Sequence, residues 1–290
     1  MKPRTKAEIA LFFTTFVWGS TFVVVKAGSH SISPSLFIAC RFGIGAIIFA
    51  LLLFKQIRLI DRKTLKGGLI LGLMLGVGIL IQNYGIYLTT ASKSAFITGL
   101  MVIFTPIAQL IIERRPPKIG NIFGIAIVTF GLFLLTSPTG SEINFGDILV
   151  LISAVIFGVY IVYVDIFSRD VNPMYLSFIQ VATTSLTAVL ILPFEEIKFN
   201  ATQQLILSLL YMGIFATVMT TYIQTRFQKD TTPTRAVIIF TIEPVIAATL
   251  SYFILSEVLG IVGVIGAAVI IFGILVSEFS DSLSKKFFNY

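Results

Sequence analysis

The residue best suited to chemistry in this sequence is Glu243, a carboxylate inside an otherwise apolar run at 234–255. At 1.5 Å per helical residue it would lie roughly 12 Å from the nearer end of such a helix, too deep for its short side chain to reach water. It must therefore face protein, face a water-filled cavity or carry a proton. We expect Glu243 either to hold a coupling proton or contact a solute, or to form a structural pair with a neighbouring helix.

Aromatic and amide side chains at similar depths could contact a solute together with Glu243. Trp18 lies well inside the first apolar run, too deep to belong to an interfacial belt. Aromatic faces suit planar or cationic solutes, whereas buried polar groups can also hold helices together. The predicted substrate-binding residues are Trp18, Asn83, Tyr84, Tyr87, Tyr160, Tyr222 and Glu243.

Two prolines inside apolar runs point to the binding region. Pro106 and Pro244 each remove a backbone donor and free the carbonyl four residues earlier. Free carbonyls are tolerated in a membrane where they line a cavity, so we expect both prolines to act as hinges near the site. Either proline alone could equally mark a packing kink.

Three charged residues are predicted to be structural or gating contacts. Lys26 and Glu257 lie at the ends of apolar runs, where charges cost little. Arg41 lies inside a run, but within reach of the surface for a long side chain. We therefore expect its guanidinium to extend outward to the membrane interface.

The sequence holds little that could catalyse a reaction. An intramembrane enzyme needs paired aspartates, a serine with a histidine base or a metal cluster within its spans. The single histidine, His30, lies in a polar loop, and the single cysteine, Cys40, lies in an apolar run. We predict no catalytic residue, no metal and no cofactor. The chain also lacks an ATP-binding motif, so energy must come from an ion gradient, from exchange or from the solute gradient.

The elements that must position these residues are segments long enough to cross a bilayer. The chain is 56% hydrophobic and 12% charged, whereas a soluble domain has about 25% charged residues. The runs lack period-two alternation and backbone cannot stay unpaired in lipid, so we predict an all-α integral membrane protein. Its ten transmembrane helices are expected at 8–26, 34–54, 67–88, 94–112, 119–136, 146–166, 173–193, 203–225, 234–255 and 259–279.

The second half of the chain echoes the first. Similar residues recur at offsets of 139 or 138 positions: Trp18 with Phe157, Pro34 with Pro173, Tyr84 with Tyr222 and Pro106 with Pro244. We predict two five-helix repeats, at 1–140 and 141–290. An odd number of spans per repeat inserts the second copy upside down, which is the usual build of a secondary transporter.

Lysine and arginine positions predict the orientation. With the N-terminus in the cytoplasm, 17 of these residues fall in cytoplasmic segments and three fall outside. Such a bias predicts that both termini are cytoplasmic. The net charge of +7 is spread over short clusters between apolar runs. This spacing argues against nucleic acid as a partner, because a nucleic-acid-binding surface gathers its charge on one face or tail.

Taken in order, the motifs resemble the drug/metabolite transporter (DMT) superfamily, EamA type. The resemblance rests on Trp18-Gly-Ser-Thr-Phe with Lys26, Arg41-Phe42, Ala95-Phe-Ile-Thr-Gly-Leu leading to Pro106, Ile242-Glu243-Pro244-Val245, and the glycine-rich last run ending in Phe272-Gly273. It covers the chain from Ile9 to about Ser277. It implies transport of small metabolites, often efflux, through a central cavity lined by both repeats.

These observations predict a secondary transporter, an exporter of a small metabolite such as an amino acid, that works by alternating access between the repeats. The alternatives are a passive or exchange-type uptake permease or channel, and an intramembrane enzyme. The expected partners are a small-molecule substrate, membrane lipid and a coupling proton. Glycines at 68, 72 and 76 allow close helix packing and leave a homodimer open. The expected location is the cell inner (plasma) membrane, crossed many times.

Overall fold

Local capping marks where the apolar runs begin as helices. Asn144 and Asp147 cap each other, each side chain accepting a hydrogen bond from the other's backbone N–H at 3.0 and 2.9 Å. The Thr64 backbone N–H and hydroxyl both donate to Asp61, at 2.8 Å each. These bonds hold the pKa of the exposed Asp61 carboxyl below its usual value. Prolines occupy the first turn of other helices, for example Pro34 and Pro173.

The computed structural model describes residues 2–136, 143–256 and 260–287. Within them the predicted all-helical fold class is confirmed, since no strand longer than an isolated bridge is present. The first half holds α1 (Pro3–Gly28), α2 (Pro34–Leu52), α3 (Arg62–Leu88), α4 (Ala91–Gly99), α5 (Met101–Glu113) and α6 (Ile119–Thr136). The second half holds α7 (Phe145–Phe167), α8 (Pro173–Val189), α9 (Gln203–Gly213), α10 (Thr220–Phe227), α11 (Pro233–Phe240), α12 (Glu243–Leu255) and α13 (Ile261–Phe287).

Three apolar runs are interrupted near their middles. A π-helical segment, Ile214–Met219, joins α9 to α10. The helix pair α11 and α12 breaks just before Glu243, and Pro244 lies in the first turn of α12, where its missing N–H costs nothing. The pair α4 and α5 breaks at Leu100, whereas Pro106 lies inside the continuous α5. The two prolines that match in sequence therefore differ in structure, and their hinge role stays a prediction.

Helices of the two halves pack against each other. α3 packs on α7 and α8, α2 on α8, α1 on α12, and α6 on α13. A Cβ added at Gly72 would lie 2.5 Å from the Cβ of Thr183 and 2.6 Å from the Gln180 carbonyl. Only glycine permits so close an approach. The glycine stripe of α3 thus serves a contact within the chain, and the homodimer stays a prediction.

The outer surface of the bundle is apolar. Large side chains such as Phe13, Leu51 and Phe123 are exposed along the helices. Within the described residues, eight helical segments are long and apolar enough to cross a membrane, and two shorter apolar helices accompany them, Ile119–Leu134 and Ile261–Ser277. Such a surface suits lipid as its solvent.

Candidate substrate cavity

A cavity lies between helices of both halves, and its lining residues come from α1–α5, α7, α10–α12 and the π-helical segment. It has about 90 Å³ of room for the centres of water molecules, several times the roughly 15 Å³ that one water needs. Its wall combines aromatic rings and neutral polar groups. Among the described residues two charged side chains, Arg41 and Glu243, line it.

Glu243 enters the cavity because the backbone breaks there. It is the first residue of α12, and its side chain is buried with 7% exposure. Gly19 of α1 permits the approach of α12, since a Cβ at this position would lie 3.0 Å from the Glu243 carbonyl. Within the described part of the chain, no hydrogen-bond or ion-pair partner contacts the Glu243 carboxylate. The described residues therefore show no structural pair for this carboxylate.

Arg41 reaches the cavity from α2 and is held by the π-helical segment. Its Nε donates to the Thr217 hydroxyl at 2.9 Å, and its Nη2 donates to the Ala216 carbonyl at 2.8 Å. Its guanidinium also lies 4.9 Å from the centre of the Phe42 ring. The residue is 6% exposed. The expectation that Arg41 extends outward to the interface is wrong, because a neighbouring helix supplies acceptors deeper in the protein.

Aromatic rings form much of the remaining wall. Trp18 and Phe240 meet edge to face, with ring centres 5.1 Å apart. Tyr160 donates to the Gln224 side chain at 3.4 Å, and Gln224 donates to Gln228 at 2.9 Å. This network fixes the Tyr160 hydroxyl at the cavity surface. The aromatic lining residues are Trp18, Phe42, Phe157, Tyr160 and Phe240.

The structure brings together only some of the predicted substrate-binding residues. Trp18, Tyr160 and Glu243 line the cavity. The others lie outside it: Asn83 is buried, Tyr84 bonds to Ser35, Tyr87 donates to the Ile32 carbonyl, and Tyr222 is 36% exposed. Their substrate-binding role stays a prediction.

Several lining residues escaped the sequence prediction. Gln82 donates to the Thr98 hydroxyl at 2.9 Å, and both side chains line the cavity. Phe157 also lines it. The repeat offset could have identified Phe157, because it is the counterpart of Trp18. Thr98 belongs to the Ala95-Phe-Ile-Thr-Gly-Leu motif, but it becomes a neighbour of Gln82 only through the packing of α4 on α3.

Of the predicted structural or gating charges, Arg41 lines the cavity, whereas Lys26 lies away from it, in the last turn of α1. Lys26 Nζ donates to the carbonyls of Ile86 and Tyr87, at 3.2 and 3.3 Å, which ties the end of α1 to the end of α3. The repeat counterpart of Lys26 is Asp165, at the end of α7. Glu257 lies outside the described residues.

An ion-pair cluster ties α7 to α5. Arg169 pairs with the completely buried Asp165 and with Glu113, the latter at 3.6 Å. The same Glu113 accepts a hydrogen bond from Gln109 at 2.9 Å. Within the described residues, no group of histidine, cysteine, aspartate and glutamate side chains is arranged to hold a metal ion.

Sequence comparison relates the chain to membrane transporters. A model of the EamA-like transporter family matches residues 5–137 and 144–279. An uncharacterized transporter of Archaeoglobus fulgidus is 30% identical over 273 residues, which are 94% of this chain and 86% of the relative. The uncharacterized transporter YoaV of Bacillus subtilis is 26% identical, over 97% of this chain and 99% of the relative. The uncharacterized inner membrane transporter YedA of Escherichia coli is 23% identical, over 92% and 88%.

One solved crystal structure of a protein has the same fold, with a TM-score of 0.79 at 18% identity, over 95% of this chain and 99% of the other. The resemblance seen in the sequence motifs is confirmed by the family model, which matches nearly the whole chain. The chain therefore belongs to the EamA-like transporter family of the DMT superfamily and is a multi-pass membrane transporter.

Proposed function

We propose that this protein is a secondary transporter that exports a small metabolite such as an amino acid. In this proposal ten transmembrane helices form two inverted five-helix repeats, 1–140 and 141–290, with both termini in the cytoplasm. The cavity opens alternately to the two sides of the cell's inner (plasma) membrane.

The observation that carries the proposal is the Glu243 carboxylate, which is buried, lines the cavity and has no partner among the described residues. An isolated ionised carboxylate in a membrane protein is costly, so it calls for a proton or a ligand cation. A proton and a solute ammonium would compete for the same oxygens. Such competition exchanges one for the other, which is how a proton gradient drives export.

The polar contacts at the helix ends support alternating access. Lys26 ties α1 to α3 at one end of the bundle, and Arg169 ties α7 to α5 through Asp165 and Glu113. The repeat relates Lys26 to Asp165, so an inverted second copy places the two ties on opposite faces of the membrane. Each tie would hold one face closed while the other opens. The prolines Pro106 and Pro244 are proposed as hinges for this motion.

The test is Glu243→Gln, which keeps the size of the side chain but fixes it in a neutral form. In proteoliposomes with an imposed pH gradient, this variant should lose gradient-driven amino-acid accumulation while exchange of solute for solute persists. Glu196→Gln makes the same chemical change in an exposed loop and should transport like the wild type. Both variants should elute as folded protein in detergent.

Three outcomes would contradict the proposal. If Glu243→Gln transports with the pH dependence of the wild type, Glu243 does not bind the coupling proton. A solute flux that neither saturates nor responds to any gradient would identify a passive channel instead. An uptake permease would show as accumulation in the direction opposite to export.

A further inference from the structure

Arg41 and Glu243 carry opposite charges into one cavity, yet they do not pair with each other in this structure. We infer that the Arg41 guanidinium is a carboxylate-binding subsite, and that the cavity therefore takes an amphipathic zwitterion with its ammonium at Glu243. The inference rests on the proposed function, because it names the substrate class of that site.

The first step is that two hydrogen bonds hold the Arg41 guanidinium in place while other N–H donors of the group stay available to a ligand. Its two hydrogen bonds use Nε and Nη2, toward Thr217 and Ala216. Nη1 makes no hydrogen bond within the described part of the chain, and the residue lines the cavity. A guanidinium carries five N–H donors in a rigid fork that matches a carboxylate. Fixing the fork before the ligand arrives reduces the entropy lost on binding.

The second step concerns the groups that contact the Arg41 guanidinium among the described residues, which are neutral. They are a threonine hydroxyl, a backbone carbonyl and the Phe42 ring. Among the described residues no carboxylate lies within 4.0 Å of its guanidinium. A buried charge without a counter-charge is expensive. The missing anion is therefore supplied by what enters the cavity.

The third step is that the cavity presents one positive and one negative side chain to the same space. One cation and one anion face a space walled by rings such as Trp18, Phe157 and Tyr160. A simple amine would leave Arg41 uncompensated, and a simple carboxylate would leave Glu243 uncompensated. A solute that carries both charges and an apolar side chain neutralises both and fills the aromatic part of the cavity.

The position related to Arg41 by the repeat supports a single anion subsite. Its counterpart, Gln180, is completely buried and neutral. The fold therefore accepts an uncharged side chain at this place in a helix. The charge at Arg41 is explained by a ligand rather than by a requirement of packing.

Trp18, the single tryptophan of the chain, lies in the cavity wall and reports binding directly. The purified full-length protein is titrated with L-phenylalanine, with L-leucine and with their decarboxylated amines, phenethylamine and isoamylamine, while Trp18 fluorescence is followed. The wild type should bind each amino acid at least tenfold more tightly than its amine. Arg41→Gln should abolish that preference while the amines still bind, and Arg41→Lys should retain a reduced preference, since lysine keeps the charge but lacks the fork.

Equal affinities for amino acids and amines in the wild type would overturn the inference, without need of any folded variant. So would an unchanged preference in Arg41→Gln, or the absence of saturable binding by either amino acid. None of these results would remove gradient-driven transport of another solute in proteoliposomes, so the failure of this inference is distinguishable from failure of the proposed function.

Discussion

Two helix crossings that the predicted repeat pairs with each other differ in structure, since one serves packing and the other reaches the cavity. In the first, α3 lies on α8, and a Cβ added at Gly72 would lie 2.6 Å from the carbonyl oxygen of Gln180. In the second, α2 lies on the segment from α9 to α10, and a Cβ added at Gly213 would lie 3.2 Å from the carbonyl oxygen of Arg41. Both crossings use a glycine against the backbone of the repeat-related residue.

The difference lies in the partner helix. α3 is a regular helix, and its Gly72 carbonyl is bonded by the Thr184 hydroxyl at 3.0 Å. In the second crossing the backbone becomes π-helical at 214–219, and its Ala216 carbonyl is bonded by Arg41 instead. A π-helical turn changes the backbone hydrogen bonding and often marks a functional site. The comparison indicates that the crossing of α3 on α8 is a rigid scaffold, whereas the crossing of α2 on the π-helical segment holds a charge at the cavity.

The prediction with the greatest effect concerns the orientation of the two halves in the membrane. If the repeats are inverted, a reporter fused after Tyr290 is active in the cytoplasm, and one inserted between α6 and α7 is active outside. The result is all or none for each reporter. Both reporters on the same side would break the comparison, because the two crossings would then not be related by inversion.

A substitution at the scaffold crossing should have the next largest effect. Gly72→Ala puts a methyl group 2.5 Å from Thr183, and overpacking of this kind costs about 1–3 kcal/mol or more. We expect a lower melting temperature in detergent and less folded protein. Gly43→Ala is the matched control, since its added methyl would meet only the Ser185 hydroxyl at an ordinary 3.5 Å. Equal melting temperatures for the two variants would argue against a rigid scaffold.

A matched pair of threonine variants should sharpen the comparison with a smaller effect. Thr217→Val removes the hydroxyl that positions Arg41. A hydrogen bond to a charged group is worth about 1.5–3 kcal/mol, so amino-acid affinity should fall by roughly ten- to a hundredfold. Thr184→Val removes a neutral bond to the Gly72 carbonyl. It should lower stability by about 1 kcal/mol and leave affinity unchanged.

The two readouts for these variants are Trp18 fluorescence titration and thermal unfolding in detergent. An affinity loss as large in Thr184→Val as in Thr217→Val would show that both crossings serve the solute. The division into scaffold and binding crossings would then be wrong.

Much of the fold follows from the sequence alone, because the need to satisfy backbone hydrogen bonds in lipid acts within each segment. A run of apolar residues in lipid must satisfy its own backbone and so becomes a helix wherever it occurs. The order of the motifs was enough to predict the family. The depth of Glu243 in its run was enough to predict that it faces protein or a cavity, and Trp18 and Tyr160 were predicted beside it.

The tertiary structure decided which way side chains point. A membrane helix can be apolar on every side, so the sequence carries little information about its rotation, which depends on packing against distant segments. Arg41 had two acceptable environments, the membrane interface or an interior acceptor, and the π-helical segment of the other half supplied the acceptor. Likewise Tyr84, Tyr87 and Tyr222 have suitable types and depths, but the rotation of α3 and α10 places them outside the cavity. Apolar length and charge order determined the helices, and contacts between residues far apart in the chain determined the wall of the cavity.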